Sequence, residues 1–150
     1  MNNITLDTTV LTKGIVPPRR RKKDIIFEEQ FRLFSLAKSI LGEVENKESI
    51  MHIPSVAIVE IAAVAARLTG KEERGIQASN YVKKHGNIIF DVDFLDQSIG
   101  IAASTKISGF DSVFIACAQL TDSILITDDR KMFDAASKLG VETKLLRDIR

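Results

Sequence analysis

The chain has 150 residues, a formal net charge of +1, one cysteine and 45% hydrophobic residues. This length and composition predict a single globular domain over residues 1–150, and they exclude disordered, collagen-like and disulfide-stabilised classes. The longest apolar stretch, residues 56–66, contains Glu60 and is too short to cross a bilayer; with no recognisable signal peptide, the expected location is the cytoplasm.

Apolar runs of strand length alternate along the chain with longer stretches in which apolar residues recur at helical spacing. This alternation predicts an α/β fold with a mainly parallel central sheet, because parallel strands need crossover connections, usually helices. Five strands are predicted, at residues 4–6, 50–53, 87–92, 124–127 and 141–145.

The segment after the first strand is unusually basic. Between Thr12 and Asp24 the sequence contains two consecutive prolines, which predicts a flexible surface loop. A run of like charges either binds phosphate groups or is simply a solvated surface, and both interpretations stay open. The candidate RNA-binding residues of this basic run are Arg19, Arg20, Arg21, Lys22 and Lys23.

The first long helix is predicted from about Ile25 to Val44, where apolar residues repeat at helical spacing. Phe27, Phe31 and Phe34 fall on one stripe of this helix. The stripe is expected to pack against the sheet, and the alternative is that it contacts a second copy or a partner protein.

Capping and stop signals predict five further helices. Pro54 suits the first position of a helix that runs to about Leu68, and Gly70 suits its end. The next helix is expected from about Lys71 to Lys84. A further helix is expected to be capped by Asp91 or Asp93. Another is expected to begin at Asp111 after Gly109, and the last to run from near Asp129 to Gly140.

Glu60 is the only charged residue between Ser55 and Ala66, in a predicted helix that is apolar on nearly all sides. Such a helix is expected to be largely buried, and an unpaired buried carboxylate is costly. Glu60 is therefore expected to reach solvent at an edge, to become protonated or to meet a cation.

Other acids stand where predicted strands or loops meet helices, namely Asp7, Asp111 and Asp129, the last preceded by Asp128. Taken singly, each has an ordinary explanation as a turn or helix-capping residue. However, α/β sheets bind ligands in the crevice beyond the carboxyl ends of their strands. We therefore expect these acids to converge with Glu60 at one edge of the sheet.

Four converging carboxylates repel one another unless a cation neutralises them. Oxygen-only ligands suit Mg²⁺ or Mn²⁺, and such an ion can hold a phosphodiester oxygen and activate a water molecule that attacks phosphorus. The acids therefore predict a metal-dependent hydrolase of phosphodiester bonds. Its candidate catalytic and metal-binding residues are Asp7, Glu60, Asp111 and Asp129.

Four segments resemble the PIN-domain nucleases, and in particular the VapC-type toxins of prokaryotic toxin–antitoxin pairs. They are residues 6–11, 54–61, 109–118 and 125–133, and they occur in family order with family-like spacing. In this resemblance the four acids take the places of the family's acidic residues. Thr9 is similar to the hydroxyl or amide residue after the first Asp, Thr127 is similar to the Thr of a Thr-x-Asp element, and Asp128 falls at a variable position.

The resemblance implies a three-layer α/β/α sandwich and a Mg²⁺- or Mn²⁺-dependent endoribonuclease that cleaves single-stranded or structured RNA. It also implies a homodimer and a cognate antitoxin protein that blocks the site. Thr9, Thr127 and Asp128 would be supporting residues. The segment from Lys13 to Lys23 departs from the family pattern, because it is longer and more basic than in many members.

Two other functions remain open. One is a catalytically silent PIN-like module that binds RNA or a partner protein, with the basic run holding phosphates. The other is a haloacid-dehalogenase-like phosphatase, in which Asp91 would be the nucleophile and Asp93 the general acid, with Asp128 and Asp129 as the later acidic pair. Assays of RNA cleavage and of phosphatase activity separate these possibilities.

The remaining metal-binding or nucleophilic residue types give weak signals. Cys117 lies among Ile115, Ala116 and Ala118, which predicts a buried, unreactive thiol. His52 and His85 have no motif around them and are predicted to be surface or strand-end residues.

Overall fold

The computed structural model describes all of residues 1–150, and a five-stranded sheet forms its centre. The strands are β1 (Asn2–Leu6), β2 (Ser49–Pro54), β3 (Gly86–Ile89), β4 (Ile124–Thr127) and β5 (Thr143–Leu145). All paired strands are parallel, and their order across the sheet is β3-β2-β1-β4-β5. Strand β1 is therefore central, with β2 and β4 as its neighbours.

Seven helices flank the sheet and confirm the predicted α/β/α sandwich. They are α1 (Thr8–Ile15), α2 (Ile25–Glu45), α3 (Ser55–Thr69), α4 (Glu72–His85), α5 (Leu95–Thr105), α6 (Gly109–Thr121) and α7 (Arg130–Lys138). Short 3-10 turns cover Asp91–Asp93 and Leu146–Asp148. None of the helices combines the length and the hydropathy needed to cross a bilayer.

The predicted elements differ most from the structure around β3. This strand ends at Ile89 rather than at Val92, because the chain turns at Asp91, whose carboxylate accepts a hydrogen bond from the Ser55 hydroxyl at 3.0 Å. The expected cap of the next helix is also wrong. Phe94 precedes α5, and no side chain caps the helix.

Two other helix starts are shifted. Pro54 is the last residue of β2 and precedes α3, although it was expected as the first helical residue. Helix α6 begins at Gly109, two residues before Asp111, because the Ser108 hydroxyl accepts a hydrogen bond from the Asp111 backbone N–H at 3.1 Å. Ser is among the preferred N-cap residues, and here it precedes the acid that was expected to open the helix.

Helix α1 occupies residues that were partly expected to form a flexible loop, so the loop begins only after Ile15. Asp7 starts this helix by accepting a hydrogen bond from the Val10 backbone N–H at 3.0 Å. A Cβ atom on Gly14 would lie 2.6 Å from Leu41 Cδ1, so glycine allows α1 to approach α2 closely. Tertiary packing thus extends a helix into the expected loop.

The aromatic stripe on α2 does not form the core contact that was expected. The buried residues of this helix are Leu33, Ala37, Leu41 and Val44. Phe31 is 51% exposed, and Phe27 and Phe34 are only half-buried beside it. The packing prediction is therefore wrong for Phe31, while contact with a partner stays a prediction.

Helix α3 is less buried than its composition suggested. Only Ala57, Ile61 and Ala65 are buried, and Val59 is 71% exposed. Glu60 is half-buried. The carboxylate therefore lies at an edge that solvent can reach.

His52 was expected at the surface or at a strand end, and the structure corrects this. Its side chain is buried in β2, with Nε2 3.0 Å from Asn3 Oδ1 and Nδ1 2.9 Å from Asn87 Nδ2. Burial lowers the pKa of the imidazole. His52 thus links side chains of three adjacent strands.

Cys117 is buried, as predicted, and its sulfur lies 3.9 Å from the Thr5 hydroxyl. Burial raises the pKa of the thiol to about 11, so the reactive thiolate is scarce at neutral pH. We expect a thiol reagent such as DTNB to modify native protein far more slowly than denaturant-unfolded protein. Equal rates in the two states would contradict this expectation.

Candidate active site

Asp7 follows the central strand β1 and is 1% exposed. Its Oδ1 accepts hydrogen bonds from the Thr9 hydroxyl at 2.7 Å and from the Val10 backbone N–H at 3.0 Å, and its Oδ2 accepts one from the Thr127 hydroxyl. Burial raises the pKa of Asp7 to about 6, although these hydrogen bonds oppose the rise. The carboxylate is thus fixed in orientation and costly to ionise.

Thr127 connects Asp7 to the end of β4. Its hydroxyl donates to Asp7 and accepts a hydrogen bond from the Asp129 backbone N–H at 3.0 Å. Asp129 in turn caps α7, since its Oδ1 accepts hydrogen bonds from the N–H groups of Lys131 and Met132 at 2.8 and 3.3 Å. Thr127 thereby holds the side chain of Asp7 and the backbone of Asp129 in fixed positions relative to each other.

Asp111 and Glu60 approach the same region from two other helices. Asp111 lies in the first turn of α6 and is half-buried. Its pKa is raised, first by burial and then by the negative charge of Asp129, while Ser108 opposes the rise. The repulsion from Asp129 shows that these two carboxylates share one electrostatic environment.

All four acids line one cavity of about 580 Å³, which we call the acidic cavity. None of the four forms a salt bridge. The acids that do form ion pairs in this chain are Asp24, Glu29 and Asp128. Lys13 and Arg19 also reach the cavity wall, and its apolar side includes Phe34 and Phe110. The structure therefore brings the predicted acids together at one opening.

Two threonines that sequence reasoning missed, Thr8 and Thr12, also line the acidic cavity. The Oγ1 atoms of Thr8 and Thr12 are buried and have no hydrogen-bond partner in the protein. Buried hydroxyls are normally hydrogen-bonded, so these two are exceptions in the packed interior beside the cavity. Their spacing of four residues becomes a signal only once α1 is recognised as a helix.

The donor set fits a hard divalent cation in its chemistry. The four acids offer only carboxylate oxygens and form no salt bridge, and oxygen ligands are those that Mg²⁺ and Mn²⁺ prefer. No group of three or more potential ligand side chains is close enough together to form a ready-made metal site. Using more than two of these carboxylates as ligands would therefore require side-chain movement.

Asp128 does not line the acidic cavity. Its carboxylate pairs with Lys13 at 3.1 Å and with Arg147 at 3.0 Å, and its backbone N–H donates to the Thr9 hydroxyl at 3.2 Å. Burial would raise its pKa, but the two cationic partners outweigh burial and hold the pKa below its usual range. Asp128 thus ties α1 and the carboxyl-terminal turn to the end of β4.

The basic run reaches the acidic cavity only through Arg19 and does not form one free patch. Arg19 lines the acidic cavity, whereas the Arg20 guanidinium donates to both carboxylate oxygens of Asp24, which caps α2. Lys23 Nζ lies 3.7 Å from the centre of the Phe27 ring. Arg21 and Lys22 are exposed.

Asp91 and Asp93, the acids of the phosphatase alternative, lie in the 3-10 turn after the edge strand β3. Neither lines the acidic cavity. The structure therefore does not bring them together with Asp128 and Asp129, as that alternative requires.

The PIN domain family model matches residues 4–139 of this chain. No curated protein matches the sequence significantly. The family match spans all four acids, from the first strand to the end of α7.

Several solved structures are similar in fold. FitAB bound to an IR36 DNA fragment is 18% identical, with 98% of this chain and 97% of that chain covered and a TM-score of 0.66. VapBC2 from Rickettsia felis, bound to a DNA fragment from its promoter, is 13% identical over 95% and 98%, with a TM-score of 0.63. A toxin-antitoxin complex from Klebsiella pneumoniae is 25% identical over 87% and 89%, with a TM-score of 0.56.

Proposed function

The chain belongs to the PIN domain family, and from this premise we propose that it is a Mg²⁺- or Mn²⁺-dependent endoribonuclease. The observation that carries the proposal is the acidic cavity. Four carboxylates from separate parts of the chain, namely Asp7, Glu60, Asp111 and Asp129, line this cavity without a cationic partner. Such an arrangement is unfavourable unless a cation is bound, which makes metal binding the simplest reason for it.

The proposed ligands are the four acids, with Thr9, Thr127 and Asp128 in supporting roles. The chemistry that a divalent ion supplies when bound at such a site is polarisation of a phosphoryl oxygen and activation of water at neutral pH. Thr9 and Thr127 orient Asp7, and Thr127 also fixes the backbone of Asp129. Asp128 acts indirectly, because its ion pair with Lys13 holds α1 beside the site.

The substrate and partners follow from the same premise. RNA is the proposed substrate, and we propose that Arg19, which lines the acidic cavity, and the exposed Arg21 and Lys22 contact its phosphates. The structural neighbours include a toxin-antitoxin complex, so we propose that this chain is the toxin of such a pair, with an antitoxin protein as its partner. A homodimer and a cytoplasmic site of action complete the proposal.

The proposal is tested with the change Asp111→Asn, assayed on single-stranded and structured RNA with Mg²⁺, Mn²⁺ or EDTA. We expect EDTA to abolish cleavage and the variant to lose at least about 100-fold in rate, because even residues that only support metal ligands cost 10- to 100-fold when removed. Asp122→Asn is the matched control. This acid is exposed at the other end of α6 and lies outside the acidic cavity.

Unchanged cleavage in EDTA, or wild-type activity of the Asp111→Asn protein, would refute the metal-dependent mechanism. RNA binding without cleavage under any of these conditions would favour the catalytically silent module. A phosphatase substrate assayed in parallel tests the remaining alternative, for which Asp91→Asn is the informative variant.

A further inference from the structure

A second cavity of about 630 Å³, which we call the basic cavity, lies beside the acidic cavity. Its walls come from the end of α1, from α2, from α3 and from α4. Residues 16–19 line both cavities and separate them. The two spaces are therefore adjacent along one surface of the molecule.

The charge of the basic cavity is opposite to that of its neighbour. Its four cationic lining residues form no salt bridge, and they are Arg19, Lys38, Lys71 and Arg74. The only acidic lining residue is Glu45, which accepts a hydrogen bond from the Tyr81 hydroxyl at 2.6 Å. Four cations and one carboxylate leave an excess of three positive charges facing an otherwise unfilled space.

Helix α3 contributes residues to both cavities. Glu60, Val64 and Leu68 line the acidic cavity, whereas Ala65 and Thr69 line the basic cavity. The rise of 1.5 Å per helical residue separates Glu60 from Thr69 by about 14 Å along the helix axis. A ligand that reaches from Glu60 to Thr69 must therefore be extended over about 14 Å, although the two cavities meet where the adjacent residues Leu68 and Thr69 line them.

We propose that the basic cavity binds phosphate groups of the same RNA strand whose backbone the acidic cavity cleaves. This inference rests on the proposed function and adds a second point of contact for the substrate. Free Lys and Arg side chains are the usual phosphate contacts, and the Arg74 guanidinium can hold a phosphate through two parallel hydrogen bonds. No ion pair within the protein has to be broken to make these contacts.

An acidic polypeptide is the competing ligand, and the lining of the basic cavity favours RNA. The wall contains the aromatic ring of Tyr81, on which a base can stack, and the polar side chains of Thr69 and Gln77, which suit sugar hydroxyls. A polypeptide anchor usually fills an apolar pocket, and the apolar part of this lining, with Ile15, Val16 and Leu41, offers such a surface, so binding of polyglutamate is measured beside binding of RNA.

The test removes two charges from the basic cavity by the changes Lys71→Gln and Arg74→Gln in an Asp111→Asn background, which keeps bound RNA intact. The measurement is the affinity for a labelled single-stranded RNA oligonucleotide over a range of salt concentrations. We expect the slope of log K against log salt to fall by about 1.4, since each phosphate contact on a single strand contributes about 0.7. Both side chains are exposed, so folding should be unaffected, which circular dichroism checks.

The matched control is Lys83→Gln with Lys84→Gln, which removes two charges from α4, the helix that contains Arg74 and begins after Lys71, at positions outside both cavities. A slope reduced equally in the control, or unchanged in the test variant, would overturn the inference. If the slope is unchanged and the test variant also binds polyglutamate more weakly than the wild type does, the basic cavity is assigned to an acidic polypeptide instead. If the RNA slope falls but wild-type protein cleaves no RNA, the phosphate site stands and the nuclease proposal fails.

Discussion

Replacing Asp7 by Asn is expected to remove RNA cleavage and, in metal-free buffer at neutral pH, to make the protein more stable. The buried carboxyl has its pKa raised from 3.8 to about 6. Each pKa unit corresponds to about 1.4 kcal/mol, so ionising Asp7 costs the folded state about 3 kcal/mol above pH 6. Asn avoids this cost, but its amide nitrogen takes the place of Oδ2 and cannot accept the hydrogen bond from Thr127, worth about 1 kcal/mol, which leaves a net gain of about 2 kcal/mol.

The sign of the pH dependence identifies the cause. Because the folded pKa is raised, the native state binds more protons than the unfolded state between pH 4 and pH 6, and stability falls as pH rises through this window. The advantage of the Asp7→Asn variant should therefore be absent below pH 4, grow up to pH 6 and stay constant above it. Denaturant unfolding at several pH values measures this difference, and Asp122→Asn controls for the loss of a surface carboxylate.

Adding Mg²⁺ should reduce the difference in the free energy of unfolding between the Asp7→Asn variant and the wild type. An ion that binds only the folded state stabilises it in proportion to the logarithm of its concentration over the dissociation constant. The wild type is expected to gain from Mg²⁺ and the Asp7→Asn variant much less. Two results would contradict a buried Asp7 carboxylate with a raised pKa. One is a variant less stable than wild type in EDTA at pH 7.5, and the other is a stability difference that does not change with pH.

The second large effect is expected from Gly75→Ala, at the interface between α3 and α4. A Cβ atom at this position would lie 2.4 Å from the Ala62 carbonyl oxygen and 3.0 Å from Ala66 Cβ. A backbone atom cannot yield as a flexible side chain can, so the two helices must move apart. Overpacking of this kind costs about 1–3 kcal/mol, and we expect the upper end of that range because the clash is with backbone.

A Gly→Ala change at a more open helix position should raise the stability of the chain instead of lowering it. A Cβ atom added at Gly100 in α5 or at Gly42 in α2 would meet no atom within 4 Å, so Gly→Ala there is expected to stabilise the chain by about 0.5–1 kcal/mol through helix propensity. Urea unfolding of the three variants measures the contrast. Equal stability of Gly75→Ala and Gly100→Ala would show that α3 and α4 are not packed as closely as described.

The sequence predicted the sheet well because its strands are short apolar runs bounded by clear breaks. Strand β4 was predicted over residues 124–127 and is found there, and the order of strands and helices required a parallel sheet. Helix α1 was not predicted, because threonine, valine and glycine have modest helix propensity and two prolines follow closely. The helix exists because Asp7 caps it and because Gly14 allows contact with α2.

Side-chain environments were harder to predict than elements. The sequence of α2 offers two apolar stripes, and only the three-dimensional fold decides that Leu33, Ala37 and Leu41 are buried while Phe31 is not. The ion-pair partners of Asp128 were equally hard to predict from the sequence. Lys13 lies 115 residues earlier in the chain, and Arg147 becomes a neighbour only through the turn after β5.

The placement of the four predicted acids at one cavity follows from rules that a sequence can express. Acids after parallel strands and at helix starts gather at the same edge of the sheet, and Asp7 and Asp129 do so at β1 and β4. The threonine hydroxyls at positions 8 and 12 illustrate the limit of such rules. Their lack of partners depends on burial, which no spacing pattern reveals.

The strand order has a consequence for how such a site can arise. From the central strand the chain proceeds outward through β2 and β3 on one side, and then returns to build β4 and β5 on the other. Connections leaving β1 and β4 therefore depart in opposite directions and open a cleft at this topological switch point, beside which Asp7 and Asp129 stand. The cleft is a property of connectivity rather than of any one loop. A permuted chain that wound all strands in one direction would keep every acid and lose the opening between them.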